Sequence, residues 1–204
     1  MESHVADKPI PWETSLRYDA CVIGLFVLAL IAGLGLKSWA QSRATLSADL
    51  DPHLSLSYPA MWTEQMEKGT LLSIRDLRSE GTFKVAFSVA ARELEPPAAG
   101  PVQDQVEPYI QERGEGLTAF RILKIGETTV DGLAAVEISY AYVDDSTWSP
   151  LQASLPVVVQ GVDTLVVRGT QLYVFSFAAP ATSFSEQAET LDAILSSVQF
   201  EPEE

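Results

Sequence analysis

From residue 54 onward, apolar and polar side chains alternate in a succession of short runs. Leu54-Ser55-Leu56-Ser57-Tyr58 alternates strictly and meets Pro59. That pattern predicts a strand closed by a turn, with Met61 and Trp62 returning to the core. Residues 71–76 and 83–90 continue as strands, and Arg78-Ser79-Glu80-Gly81-Thr82 between them carries hairpin chemistry, so the two should pair antiparallel. Residues 94–101 read as a loop rich in proline and alanine. Strands are then predicted over 120–125, 128–130 and 133–142, the last two joined at the tight-turn pair Asp131-Gly132. Three more follow over 157–159, 164–168 and 171–177, with Gly169-Thr170 as a further turn.

Two stretches switch to helical spacing. Val102, Val106, Tyr109 and Ile110 recur with acids and amides between them, predicting a helix over 102–114 in which Pro108 fits only in the first turn. Over 184–198, Phe184, Ala188, Leu191, Ile194 and Leu195 share one face, preceded by the cap candidates Thr182 and Ser183 and carrying Glu186 in the first turn. Strands interrupted by one helix and closed by another predict the α+β class: an antiparallel sheet with helices packed on it.

The amino-terminal pattern is different. Residues 20–36 read ACVIGLFVLALIAGLGL, with no charge and no polar stripe of period 3.6. Tyr18 and Trp39 bracket the run. A helix between them measures about 31 Å at roughly 1.5 Å per residue, matching a hydrocarbon core of about 30 Å, and its aromatic ends suit the two interfaces. The prediction is a cytoplasmic tail over 1–17, a transmembrane helix over 18–40 held in the lipid bilayer from Tyr18 to Trp39, a tether over 41–53 and an extracytoplasmic domain over 54–204. A cleaved signal peptide is the competing reading, since Ser38-Trp39-Ala40 and Ser42-Arg43-Ala44 present small residues at suitable spacing. The region before the run, however, carries four acids and two bases where a signal peptide needs net positive charge. Lipid attachment at Cys21 fails on order, because the apolar run follows the cysteine. Ala20-x-x-x-Gly24 and Ala29-x-x-x-Gly33 have the spacing of close helix packing, though small residues are ordinary in such a helix. Lys8 and Arg17 on one side balance Lys37 and Arg43 on the other, so charge leaves orientation undecided. The cytoplasmic placement of the tail follows the usual arrangement of exported domains.

Charge sharpens the division. The chain carries a net charge of −15, and residues 1–44 hold four bases against four acids, so the whole excess belongs to residues 45–204. That argues against nucleic acid and anionic lipid as ligands, both of which need clustered Lys and Arg. Cationic partners and metal ions stay open. With Cys21 as the single cysteine, the domain has no disulfide and no thiolate cluster, and needs a packed core instead.

Candidate chemistry is sparse. His53 beside Asp51 is the domain's one histidine and reads as surface. Asp144-Asp145-Ser146-Thr147 offers oxygen ligands but lacks the spacing of a calcium loop and suits a solvated turn. Glu93 and Glu95 flank Leu94 at a loop without an apolar pocket. Gly114-Glu115-Gly116 and Gly33-Leu34-Gly35 lack the strand–turn–helix context and the lysine of a phosphate loop. No catalytic, cofactor or metal residue is therefore assigned, and the chain is not expected to be an enzyme.

The order of features resembles the PsbP-like domains. Leu56-Ser57-Tyr58-Pro59 with Trp62, then Thr129-Val130-Asp131-Gly132-Leu133-Ala134-Ala135, then Tyr173-Val174-Phe175-Ser176-Phe177, and finally Phe184 with Ile194-Leu195-Ser196-Ser197-Val198-Gln199-Phe200 carry the similarity across roughly residues 54–200. The resemblance implies an α/β/α sandwich and a role in assembling or stabilising a larger membrane complex. Metal handling does not carry over, because the domain has almost no histidine. The expected function is a membrane-anchored accessory module with a protein partner. A small-ligand or cation-binding sensor or carrier is the alternative.

Overall fold

The computed structural model describes residues 45–51, 54–94, 100–145 and 155–201, together with Ile23 and Val27. The chain divides into two compact units, Met1–Ala44 and Thr45–Glu204. In the first, Ile23 and Val27 are helical and exposed. The remainder of the span predicted over 18–40 lies outside the described residues, as do Cys21, the small-residue pairs and both cleavage-like motifs. No helix among the described residues is long and apolar enough to cross a membrane.

In the second unit the order is β1 (Thr45–Asp51), β2 (Leu54–Pro59), β3 (Thr63–Glu64), β4 (Leu72–Asp76), β5 (Val85–Glu93), a 3-10 turn (Val102–Gln105), α1 (Val106–Glu115), β6 (Thr118–Val130), β7 (Leu133–Asp144), β8 (Val157–Arg168), β9 (Gln171–Pro180), α2 (Phe184–Ser196) and β10 (Gln199–Phe200). Seven strands form an antiparallel sheet in the order β3-β4-β5-β9-β8-β7-β6, and β1-β2-β10 form a smaller antiparallel sheet. Hairpins supply most neighbours. The β5–β9 pairing closes the large sheet over a long loop in sequence.

Each face of the large sheet carries a packed core, and strand alternation assigns the layers. On β9, Tyr173, Phe175 and Phe177 join β2, α2 and β5 in one core, while Leu172 and Val174 join Tyr109 and the 3-10 turn in another. In the first core Trp62 stacks on Phe177 at 6.4 Å between ring centres, and Phe184 meets Phe177 edge-on at 5.9 Å. Trp62 is brought there by the turn in which its N–H donates to the Pro59 carbonyl. Ser197 ties α2 to β2: its hydroxyl donates to the Ser57 carbonyl at 3.0 Å and accepts the Ser57 N–H at 2.9 Å. The α+β class and the helix-on-sheet packing are thus as the alternation predicts.

Several local expectations need correcting. The tether predicted over 41–53 holds β1, because Ala48 and Leu50 alternate and pack on the first core once β2 lies beside them. Residues 120–125 and 128–130 are one strand, since Gly126 and Glu127 pair with Glu137 and Val136. Residues 157–159 and 164–168 are likewise one strand, through Gln160, Gly161, Val162 and Asp163. Ser183 occupies the cap position of α2 but makes no side-chain cap bond. The helix predicted over 102–114 begins as the 3-10 turn, and Pro108 falls in the first turn of α1, where a missing N–H costs nothing. At Asp131-Gly132 both residues have positive φ, 49° and 76°, the mirror-image turn that a two-residue hairpin favours.

Candidate functional site

The stretch of β8 that hydropathy breaks into a gap carries a buried carboxylate. Asp163 is fully buried on the face beneath α1. Tyr109, from α1, donates its hydroxyl to Asp163 Oδ2 at 2.5 Å, and Tyr140, from the neighbouring β7, donates to Oδ1 at 3.1 Å. Arg113 lies one helical turn after Tyr109, on the same face of α1. Its Nε stands 3.2 Å from Asp163 Oδ2, and its Nη2 donates to the Tyr140 hydroxyl at 2.8 Å. Gly161 makes room for this arrangement: a Cβ there would lie 2.4 Å from Tyr140 Cζ.

The electrostatics follow from burial and from the single carboxylate. Burial, reinforced by Asp163, pushes the Tyr109 and Tyr140 phenols far above their ordinary values, although the neighbouring Arg113 opposes the shift. Burial works against the Arg113 charge, but Asp163, Tyr140 and Tyr109 outweigh it and hold the guanidinium above its ordinary value. The four side chains therefore form a mutually hydrogen-bonded ionic network with two neutral phenols.

Beside it opens a groove of about 730 Å³. Its floor is the part of the sheet that α1 leaves uncovered, where β5 and β9 present small side chains, Ala86, Ser88, Ala90, Ser176 and Ala178. One side is lined by Tyr109, Arg113 and Tyr142; the other by Ser73 and Arg75 of β4 and by Phe83, which precedes β5. Phe83 and Tyr142 meet edge to face, 6.5 Å between ring centres. Burial chiefly pushes the Tyr142 phenol up to about 12, with Arg113 and Arg75 opposing the shift and Asp144 and Asp163 adding to it.

A second exposed feature is the outer edge of the large sheet. Among the described residues β6 pairs only with β7, leaving its other side open, and Leu123 and Ile125 are about half exposed on it. Arg121 precedes them and Lys124 lies between them, and the register with β7 shifts twice, between Thr118 and Arg121 and between Ile122 and Lys124. Bulges and cations of this kind discourage pairing with a second copy of the same strand.

Residues singled out by composition fall elsewhere. Asp144 ends β7 at the groove, and Asp145 accepts a hydrogen bond from the Thr118 hydroxyl at 3.4 Å, while Ser146 and Thr147 lie outside the described residues. Glu93 ends β5 in the open, and Glu95 and His53 are outside the described residues, as is the Asp51 side chain. Gly114-Glu115-Gly116 ends α1, with Gly114 set against the Phe120 ring. No group of three or more metal-ligating side chains occurs among the described residues. Asp163 and Arg113 went unread in the sequence. The available signal was an acid inside Val157-Val158-Val159-Gln160-Gly161-Val162-Asp163-Thr164-Leu165, a run otherwise suited to a buried strand.

No protein-family model and no curated protein matches the chain. Its fold is nevertheless that of several solved structures. It is similar to the solution structure of cyanobacterial PsbP (CyanoP) from Synechocystis sp. PCC 6803, with a TM-score of 0.57 and 14% identity over 78% of this chain and 93% of that one. LpqN of Mycobacterium tuberculosis, involved in cell envelope biogenesis, matches with a TM-score of 0.52 and 10% identity over 78% and 93%. The Saccharomyces cerevisiae Ran-binding protein Mog1p matches with a TM-score of 0.50 and 12% identity over 76% and 95%. The architecture is therefore PsbP-like.

Proposed function

We propose that this chain is a membrane-anchored accessory subunit whose extracytoplasmic domain binds a protein partner in a membrane complex and does not itself catalyse a reaction. The observation that carries the reading is the β6 edge. A 13-residue strand with one open side and with Leu123 and Ile125 exposed is a surface that a self-sufficient domain normally covers or shortens. Its two cations give docking a register and a preference for an acidic counterpart, in a domain that is otherwise strongly negative. The PsbP-like fold agrees with this reading, since Mog1p, which shares it, is a Ran-binding protein. Anchoring through Tyr18 to Trp39 adds confinement, which raises the effective concentration for a partner in the same membrane.

Affinity isolation of the full chain from a non-ionic detergent tests this. Stoichiometric membrane partners should be recovered with the native chain and lost with Leu123→Asp/Ile125→Asp, at unchanged circular dichroism. A chain that migrates alone in several mild detergents, or a double variant that keeps its partners, refutes the reading.

A further inference from the structure

The groove beside α1 lacks the acidic excess of the body that contains it. Residues 45–204 hold nine Lys and Arg against 24 Asp and Glu. Four of the nine, Arg75, Lys84, Arg92 and Arg113, line this one groove, against three lining carboxylates, Glu67, Glu112 and Asp144, and Asp163 behind Arg113. A random share of so acidic a domain would give a clear excess of acids. None of the three is free: Glu112 accepts from Arg92 at 2.7 Å, Glu67 accepts from the Ser73 hydroxyl at 2.9 Å, and Asp144 has a partner as well.

Two of the cations are paired, Arg92 with Glu112 and Arg113 with Asp163, and the other two are less fully compensated. Lys84 donates to the Ser79 carbonyl, a neutral acceptor. Arg75 has its Nε buried with no hydrogen-bond partner among the described residues. Arg113 is fixed by Asp163 and Tyr140 through Nε and Nη2, yet its side chain stays about one-third exposed, 34%, at the groove wall. An arginine held by a buried carboxylate has lost its rotamer freedom before any ligand arrives, so less affinity is spent on ordering it. Between the walls, the alanines and serines of β5 and β9 leave a shallow apolar-to-neutral floor on which a flat body can lie. The volume, about 730 Å³, falls within the range of small-molecule sites.

We propose that this groove binds a small molecule bearing an oxyanion, a carboxylate or a phosphate, with Arg75 and Arg113 holding the anion and the floor of Ala86, Ser88 and Ala90 seating the body. This goes beyond the partner-docking role of β6 and does not rest on it. It also reverses the expectation from net charge alone, which favours a cation.

The test is an amide-resolved NMR titration of the full chain in a non-ionic detergent at low salt, with benzoate, phenyl phosphate and neutral benzyl alcohol as probes. Both anions, or one of them, should give saturable shifts around Ser73, Arg75, Ser88 and Arg113, and whichever binds more tightly names the anion. Benzyl alcohol should bind at least about tenfold more weakly, the loss expected for one charged hydrogen bond. Arg75→Gln, at a partly exposed position outside the buried network, should weaken anion binding by about tenfold. Ser88→Phe, which fills the floor, should abolish it while the thermal melt is retained. Equal binding of the alcohol, no saturable shift with either anion, or native affinity in Arg75→Gln overturns the proposal. Leu123→Asp/Ile125→Asp, which removes the partner surface, should leave anion binding intact, so the two proposals fail separately.

Discussion

Asp163→Asn isolates the ionic core beneath α1. The amide is nearly isosteric with the carboxylate and still offers an oxygen to one phenol, so packing on β8 is preserved. The guanidinium of Arg113, however, loses the negative charge 3.2 Å from its Nε, and the new NH2 group confronts the Tyr109 or Tyr140 hydroxyl, which now donates to the carboxylate at 2.5 or 3.1 Å. Breaking a buried ion pair by removing one partner typically costs about 3–5 kcal/mol, whereas an exposed pair is worth about 0–1 kcal/mol. Asp163 is wholly buried and Arg113 is one-third exposed, which places the cost near the lower end, about 3 kcal/mol. For a domain of this size that corresponds to a fall in Tm of roughly 6–12 °C.

Thermal and urea unfolding of the full chain in a non-ionic detergent, followed by tyrosine near-UV circular dichroism, reads this directly. Asp163→Leu combined with Arg113→Met removes both charges together and should recover a substantial part of the loss, because apolar replacement of a whole buried pair is often close to neutral. A single Asp163→Asn variant within about 1 kcal/mol of the native chain refutes the network as an ionic anchor.

Other outcomes follow from the same geometry. Gly161→Ala should destabilise the domain by about 1–3 kcal/mol, because the new methyl meets the Tyr140 ring at 2.4 Å in a filled core, and Tyr140→Phe in the same chain should not relieve it, since ring carbons make the clash. Alkaline unfolding should set in above pH 10. There the unfolded chain releases phenolic protons while Tyr109, Tyr140 and Tyr142 retain theirs, so the unfolded state binds fewer protons and stability falls as pH rises. The loss is about 1.4 kcal/mol per pH unit for each phenol held neutral, and phenolate absorbance should rise together with loss of structure. Gly132→Ala forces a Cβ into a residue with φ of 76° and should cost about 1–2 kcal/mol, measurable by urea unfolding.

Much of the architecture was legible locally. Strict alternation at Leu54-Ser55-Leu56-Ser57-Tyr58, the hairpin pair Asp131-Gly132 and the helical spacing from Phe184 to Leu195 each depend on neighbours a few residues away, which is why the strands, the turn and α2 form where those patterns lie. The α+β class follows from their order. The concentration of negative charge beyond residue 44 is likewise a property of the chain as written. The pattern failed where a residue's role is set by a distant partner. Asp163 reads as a break in a hydrophobic run until β8 lies beside β7 and beneath α1, bringing Tyr140 from 23 residues away and Tyr109 from 54. β1 reads as a tether until β2 pairs with it. The groove is more remote still from any linear signal: Arg75, Ser88, Arg113 and Ser176 come from four elements and share a surface only because the β5–β9 pairing closes the sheet. An acidic chain thus folds so that four of its few cations face one groove, a local charge balance that net charge conceals and that tertiary placement alone creates.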